Sequence, residues 1–127
     1  MTIIINEDEP EHTASYTVPE TLLTEKSKFF EAACRNDWQE ASTRIIKIPE
    51  VDTSAFKAYI HWIYKEKVAV SSQLAFDGKY NTMAEARPTL HGLIQLWLLA
   101  DRFADAQLRN LVTNAILHVE RRVKSCV

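Results

Sequence analysis

Four histidines and two cysteines are the residues that could hold a metal ion or act as nucleophiles. They are His12, His61, His91, His118, Cys34 and Cys126. None of them falls into a CxxC or HExxH arrangement, the spacings that bring metal ligands together. Cys34 has no histidine placed by sequence to activate it, so we expect it to behave as a small buried apolar residue. The sequence predicts no metal site.

Two carboxylates could form a pair of the kind that general acid–base chemistry uses. Asp101 and Asp105 are four residues apart, which on one helix would place both on the same face. Arg102 and Arg109 lie close by in sequence, so we predict a structural role for the pair. The chain also lacks the glycine-rich phosphate loops and the GxSxG nucleophile motif. We therefore expect no catalytic and no cofactor-binding residues. An enzyme or small-ligand-binding protein is a remote alternative, because it would need a polar pocket with convergent ionisable groups.

Charge and hydropathy limit the partners. The formal net charge of −2 gives no overall attraction to nucleic acid or to anionic membrane. The basic cluster Arg121–Lys124 is predicted to pair with a helix C-terminus, and no aromatic residues interleave with it, so we expect no nucleic-acid partner. No apolar run approaches the ~18 residues that span a bilayer, and we expect no membrane association. Without a signal-peptide pattern, an intracellular protein, cytoplasmic and/or nuclear, is expected.

The first half of the chain alternates between strand and helix signals. Ile3–Ile5 and Ala14–Val18 are short, partly β-branched segments that predict paired strands. Pro19 suits the start of a helix, and Ser27 could cap a second short helix. Ile45–Ile48, just before a proline, predicts a third strand.

The second half is predicted to be mainly helical. Phe56, Tyr59, Ile60, Ile63 and Tyr64 recur at helical spacing, after an N-cap at 52, 53 or 54. Residues 69–89 lack a sustained period and are predicted to be a variable loop, with an Asp-Gly hairpin over 75–80. Two further apolar stripes predict two helices joined by a turn at 105–107, with a tail over 120–127. The order of elements predicts one α+β domain over 1–127.

The tryptophans give three different signals. Trp97 lies on a core stripe, and we predict that it packs inside. Trp62 falls off the apolar face of its helix, and Trp38 lies in a polar turn. Exposed aromatic residues are enriched at interfaces, so these two could contact a partner or be half-buried structural residues.

Four blocks of sequence, in order, carry a resemblance to a known family. They are Tyr16–Phe30 with its Leu-Leu pair and Ser-x-Phe-Phe, Glu31–Ala41, Ile48–Tyr64, and Leu96–Phe103 with Leu-Ala-Asp-Arg-Phe. The chain resembles a BTB/POZ domain, in a style closest to single-domain proteins of filamentous fungi or a fragment of one. The resemblance implies a small three-stranded sheet capped by about five helices. It also implies a protein–protein interaction module and not an enzyme.

The resemblance implies two modes of binding. The first is self-association, to a homodimer, or hetero-association through the first strand and first helix; here the residues are Ile3, Ile5, Thr21, Leu22 and Glu25. The alternative is a substrate adaptor that docks onto a cullin scaffold of a ubiquitin ligase through the solvent side of the central helix. Here that side is Lys57, His61, Tyr64 and Lys65. Cullin-binding members often carry a hydrophobic-x-Glu element nearby, whereas this chain has Phe56-Lys57-Ala58, without the acid.

Overall fold

The computed structural model describes residues 1–35, 45–66, 68 and 83–125. Within them the chain forms three strands and five helices. In chain order these are β1 (Thr2–Ile5), β2 (Ala14–Thr17), α1 (Glu20–Lys26), α2 (Lys28–Arg35), β3 (Ile45–Ile48), α3 (Thr53–Lys65), α4 (Met83–Arg102) and α5 (Ala106–Ser125). The predicted α+β class, with a small three-stranded sheet and about five helices, is confirmed.

The sheet is mixed, with β1 at its centre. β1 pairs antiparallel with β2, which follows it directly, and parallel with β3, which the chain reaches after passing through α1 and α2. Side chains alternate across a strand, and alternate residues of β1 and β3 are buried: Ile3, Ile5, Ile46 and Ile48. One face of the sheet therefore lies against the core.

The boundary between α1 and α2 is a helix start that is capped by a side chain. Pro19 precedes α1, and Ser27 stands between the two helices. The Phe30 amide donates to Ser27 Oγ at 3.2 Å, so the predicted cap is confirmed. The Ser27 hydroxyl also donates to the carbonyl of Phe103, at 2.5 Å. This second bond ties the start of α2 to the turn between α4 and α5.

Helix α3 follows the predicted periodicity at Phe56, Tyr59 and Ile63, which are buried, whereas Tyr64, the last residue of the predicted apolar stripe, is 48% exposed. Asp52 is its N-cap and accepts from the Ala55 amide at 2.9 Å, which selects one of the three predicted caps. The helix ends at Lys65, and its C-cap, Glu66, takes a left-handed conformation with φ 57°. Trp62, placed off the apolar face by the sequence pattern, is instead fully buried. That placement was wrong because α3 is packed against two other helices, α4 and α1.

The last two helices are longer than the sequence pattern predicts. Residues 83–89, assigned to the variable loop, form the first turns of α4 despite Pro88, and α5 runs through most of the predicted tail to Ser125. Pro88 is the sixth residue of α4, inside the helix, and its missing N–H removes one intrahelical hydrogen bond. The buried positions Thr89 and Leu93 continue the inward face of α4. The predicted hairpin over 75–80 lies outside the described residues.

The core lies between the sheet and the helices and is rich in aromatic rings. Phe103, from the α4–α5 turn, contacts four of them at centroid distances of 5.0–6.2 Å, namely Phe29, Phe30, Phe56 and Tyr59. Large rings bury much apolar surface and add about 0.5–1.5 kcal/mol for each well-placed pair. The ring cluster joins α2, α3 and the α4–α5 turn, and so fixes the orientation of α3.

Candidate protein-interaction surface

The inward side of α3 is held by a buried carboxylate. Asp105 is 1% exposed and accepts from the indole N–H of Trp62 at 2.9 Å and from the Tyr59 hydroxyl at 3.4 Å. Its other oxygen accepts from the Leu108 amide at 3.1 Å, which makes Asp105 the N-cap of α5. One side chain therefore caps one helix and anchors another. These three residues, Tyr59, Trp62 and Asp105, are called the Asp105 cluster below.

The electrostatics of the cluster keep Tyr59 protonated. Burial raises the pKa of the Tyr59 phenol far above its ordinary range, and the nearby charge of Asp105 raises that pKa further, against a smaller opposing effect of Ser27. The phenol is therefore a hydrogen-bond donor across the range in which proteins are folded.

Sequence reasoning missed this cluster. It paired Asp105 with Asp101 on one helix, but α4 ends at Arg102 and α5 begins at Ala106, so the two acids belong to different elements. Asp101 is exposed and binds Arg109 at 3.0 Å. The available signal was the position of Asp105 at the start of an apolar-periodic segment, which is typical of an N-cap.

A second contact fixes the C-terminal end of α3. The Lys26 ammonium lies 4.8 Å from the centroid of the Trp62 ring and 2.6 Å from a carboxylate oxygen of Glu66. The Lys26 side chain is only 10% exposed, so its stem is packed while its charge is paired. α1 is thereby joined to the last turn of α3.

The outward side of α3 is a continuous exposed stripe. Lys57, His61, Tyr64 and Lys65 are all exposed, and the Tyr64 side chain, from a residue 48% exposed, also donates to the carbonyl of Thr17 at 3.4 Å. Residues 53–65 include no aspartate or glutamate. The structure thus brings the four predicted residues together on one basic, aromatic surface, called the α3 outer face below.

Comparison with known families identifies the fold. A model of the BTB/POZ domain matches residues 6–86, more than half of the chain. The chain belongs to the BTB/POZ domain family. A search of curated proteins finds no match to it. BTB/POZ domains act in protein–protein association, so the surfaces of this one are best judged as binding surfaces.

The predicted self-association residues of this BTB/POZ domain divide into two groups. Ile3 and Ile5 are fully buried on the face of the sheet that lies against the core. Their side chains therefore belong to the core of a single copy. Thr21 and Glu25 are exposed on α1, and Leu22 is partly buried. Self-association through α1 stays a prediction, and in the fold described it would rest on those three residues.

The remaining chemistry-bearing residues of the BTB/POZ domain are dispersed. Across the described ranges, no three histidine, cysteine or acidic side chains lie close enough to hold a metal ion. Cys34 is partly buried, with its sulfur 3.8 Å from that of Met1. Trp97, predicted to pack inside, is partly buried and packs against the core, and its indole donates to the Thr113 hydroxyl at 3.1 Å. Trp38 lies outside the described residues.

None of the helices in the described part of the chain is both long enough and apolar enough to cross a bilayer.

Proposed function

We propose that this BTB/POZ domain recruits a protein partner through the α3 outer face, and that the partner presents an acidic segment carrying an apolar group. The observation that carries the proposal is the composition of the stripe. Two lysines, a histidine and a half-exposed tyrosine share one side of a helix that has no acidic residue. Electrostatic complementarity gives specificity and faster association, and tyrosine is a frequent anchor at interfaces.

The support beneath the stripe favours this surface over a flexible one. The Asp105 cluster holds α3 from its inward side, and the Lys26–Glu66 pair holds its C-terminal end. A surface that is already ordered loses less conformational entropy on binding. The Tyr64 side chain is also restrained by its hydrogen bond to the Thr17 carbonyl. Its ring is therefore held in place at the edge between α3 and β2.

A cullin scaffold of a ubiquitin ligase is one specific candidate for this partner, because it would dock onto the same face. Cullin docking would be helped by a hydrophobic side chain at the position of Phe56. That ring is 0% exposed and lies between Tyr16 and Phe103. Of the segment Phe56-Lys57-Ala58, only Lys57 reaches the surface. We therefore propose the general acidic partner, and a cullin is one outcome that the experiment can identify.

The test is affinity capture of the tagged domain from extract of its native cells, with mass spectrometry of the bound proteins. The double variant His61→Glu/Tyr64→Ala reverses the charge and removes the anchor. Its matched control is Leu111→Ala/His118→Glu, which makes similar changes at two exposed positions of α5.

Partners that bind the wild type and the control but not the α3 variant would support the proposal. A cullin among them would make the ubiquitin-ligase adaptor the leading form. If the α3 variant and the wild type capture the same partners in the same amounts, the α3 outer face is not the binding surface.

A further inference from the structure

Strand β2 is an outer strand of the sheet, because the strand order is β2-β1-β3 and β2 therefore pairs on one side only. Its four residues, Ala-Ser-Tyr-Thr, include no charged residue and no proline, the types that commonly protect an exposed edge. Ser15 and Thr17 are both exposed. The outward-pointing backbone groups of these two residues are called the β2 edge below.

The pairing with β1 determines which backbone groups of β2 point outward. The Val18 amide donates to the Met1 carbonyl at 2.9 Å, and the register continues along β2 without a bulge. Bonded and unbonded pairs alternate in an antiparallel ladder, so the backbone groups of Ser15 and Thr17 point away from β1. The Thr17 carbonyl agrees with this direction, since it accepts from the Tyr64 hydroxyl at 3.4 Å.

Three groups of the β2 edge are open to a partner. Among the described residues, the Ser15 amide, the Ser15 carbonyl and the Thr17 amide have no hydrogen-bond partner. Backbone donors and acceptors at strand spacing are complementary to another extended backbone, which can add to the sheet as a further strand. In an antiparallel segment, a single residue opposite Ser15 would exchange both bonds with it.

The two ends of the β2 edge differ in charge. The loop before β2 is acidic, with Glu7, Asp8, Glu9 and Glu11 all exposed. At the other end, the Thr17 carbonyl contacts Tyr64, which belongs to the basic α3 outer face. A segment that lies along this edge is therefore attracted by its acidic residues at the Thr17 end and repelled by them at the Ala14 end.

We propose that the partner's acidic segment binds as an extended, antiparallel strand along the β2 edge, with its acidic residues at the Thr17 end beside Tyr64. This inference rests on the proposed function, because the α3 outer face supplies the basic surface. It adds the conformation of the segment, its direction and the backbone groups that hold it.

The first test is amide hydrogen exchange of the whole domain, followed residue by residue by NMR. The probe is a capped synthetic peptide that begins with a run of glutamates and continues with alternating valine and serine. At a peptide concentration several times the Kd, exchange at Ser15 and Thr17 should slow at least about threefold. The amides of Ala14 and Tyr16, which point toward β1, should change less. Unchanged exchange at Ser15 and Thr17 up to millimolar peptide would overturn the inference.

A peptide of the same composition with its glutamates at the C-terminal end tests the direction. In an antiparallel strand its acidic residues would lie beside the acidic loop, so it should protect Ser15 and Thr17 less than the first peptide does. Equal protection by the two peptides would contradict the match of charges along the edge.

A proline substitution tests the backbone bonds directly. Ser15→Pro removes one outward amide and leaves the ladder with β1 intact, as proline at a sheet edge does. We expect it to raise the Kd for the first peptide about three- to tenfold. A folded Ser15→Pro variant that binds as tightly as the wild type would contradict strand addition.

Lys47→Pro, on β3 at the other edge of the sheet, is the matched control. The Ile48 carbonyl accepts from the Asn6 amide beyond β1, so the backbone of the neighbouring Lys47 points away from β1, as that of Ser15 does. This variant should bind the peptide like the wild type, and thermal melting shows that both proline variants are folded. Equal weakening by the two variants would show that damage to the sheet, and not the β2 edge, causes the loss.

The variant His61→Glu/Tyr64→Ala separates this inference from the proposed function. If it loses the peptide while Ser15→Pro retains it, the α3 outer face stands and strand addition fails. If Ser15 and Thr17 are protected equally in this variant and in the wild type, strand addition stands and the α3 outer face fails.

Discussion

The two sides of helix α3 use aromatic residues in opposite ways. On the inward side, Tyr59 and Trp62 are fully buried and both donate to one carboxylate. On the outward side, Tyr64 is 48% exposed and stands among lysines and a histidine. Aromatic residues of a single helix therefore serve stability in one case and, as we propose, recognition in the other. The difference predicts that substitutions on the two sides will change different measurements.

The largest expected effect is on stability, from Asp105→Ala. The change removes the cap of α5 and leaves the Trp62 indole N–H and the Tyr59 hydroxyl buried without an acceptor. We expect a loss of roughly 3–5 kcal/mol in the free energy of unfolding, measured by denaturant titration. Asp105→Asn is a graded variant, because asparagine caps helices about as well as aspartate but its NH2 group cannot accept from Trp62 and Tyr59 while its oxygen caps α5. We expect its stability to lie between those of the wild type and the Ala variant, and an Asn variant as stable as the wild type would show that the bonds to Trp62 and Tyr59 contribute little.

The next effect is that of Trp62→Phe. Phenylalanine keeps most of the buried ring but has no N–H for Asp105, so a buried carboxylate loses its shortest side-chain donor. We expect a loss of about 1–3 kcal/mol by the same titration, together with loosening of α3 against α5. A variant as stable as the wild type would mean that Tyr59 and the Leu108 amide suffice for Asp105.

A third effect depends on pH and tests the buried phenol. The pKa of Tyr59 is raised by burial and by Asp105, so above about pH 10 the unfolded chain loses this proton while the folded chain keeps it. Stability should therefore fall by up to about 1.4 kcal/mol per pH unit from this group. Tyr59→Phe should remove that part of the fall, as denaturant titrations at pH 8 and pH 11 would reveal. Equal slopes for the two proteins would place the Tyr59 hydroxyl in contact with water.

The smallest expected effect on stability is that of Tyr64→Ala, on the outward side. The ring is half exposed and its bond to the Thr17 carbonyl is long, so we expect a change of at most about 1 kcal/mol. A loss as large as that of Trp62→Phe would make Tyr64 a structural residue, and the contrast between the two sides of α3 would fail.

The sequence predicted the elements well where periodicity was strong and local. The strands, the Ser27 cap and the apolar face of α3 follow from short-range patterns. Trp62 could not be placed in this way, because its burial depends on α4 and on the distant carboxylate of Asp105. The start of α4 was missed because residues 69–89 lack a sustained apolar period, and Pro88, the sixth residue of α4, is a type that helices seldom hold in their interior.

The candidate site was predictable in part for the same reason. Exposure of Lys57, His61 and Lys65 follows from their positions off the apolar stripe of a regular helix. Tyr64 belongs to that stripe by spacing, and only the family resemblance placed it on the solvent side. The core position of Ile3 and Ile5 depends on which face of the sheet is covered, which strand alternation alone does not specify.

The most direct test of the account is a binding titration of a captured partner, purified, against the wild-type domain and against His61→Glu/Tyr64→Ala. Unfolding measurements would be made on the same samples. We predict that the variant stays folded with nearly unchanged stability while its Kd for the partner rises at least about tenfold. An unchanged Kd in a folded variant would contradict the claim that the outward side of α3 is the recognition surface.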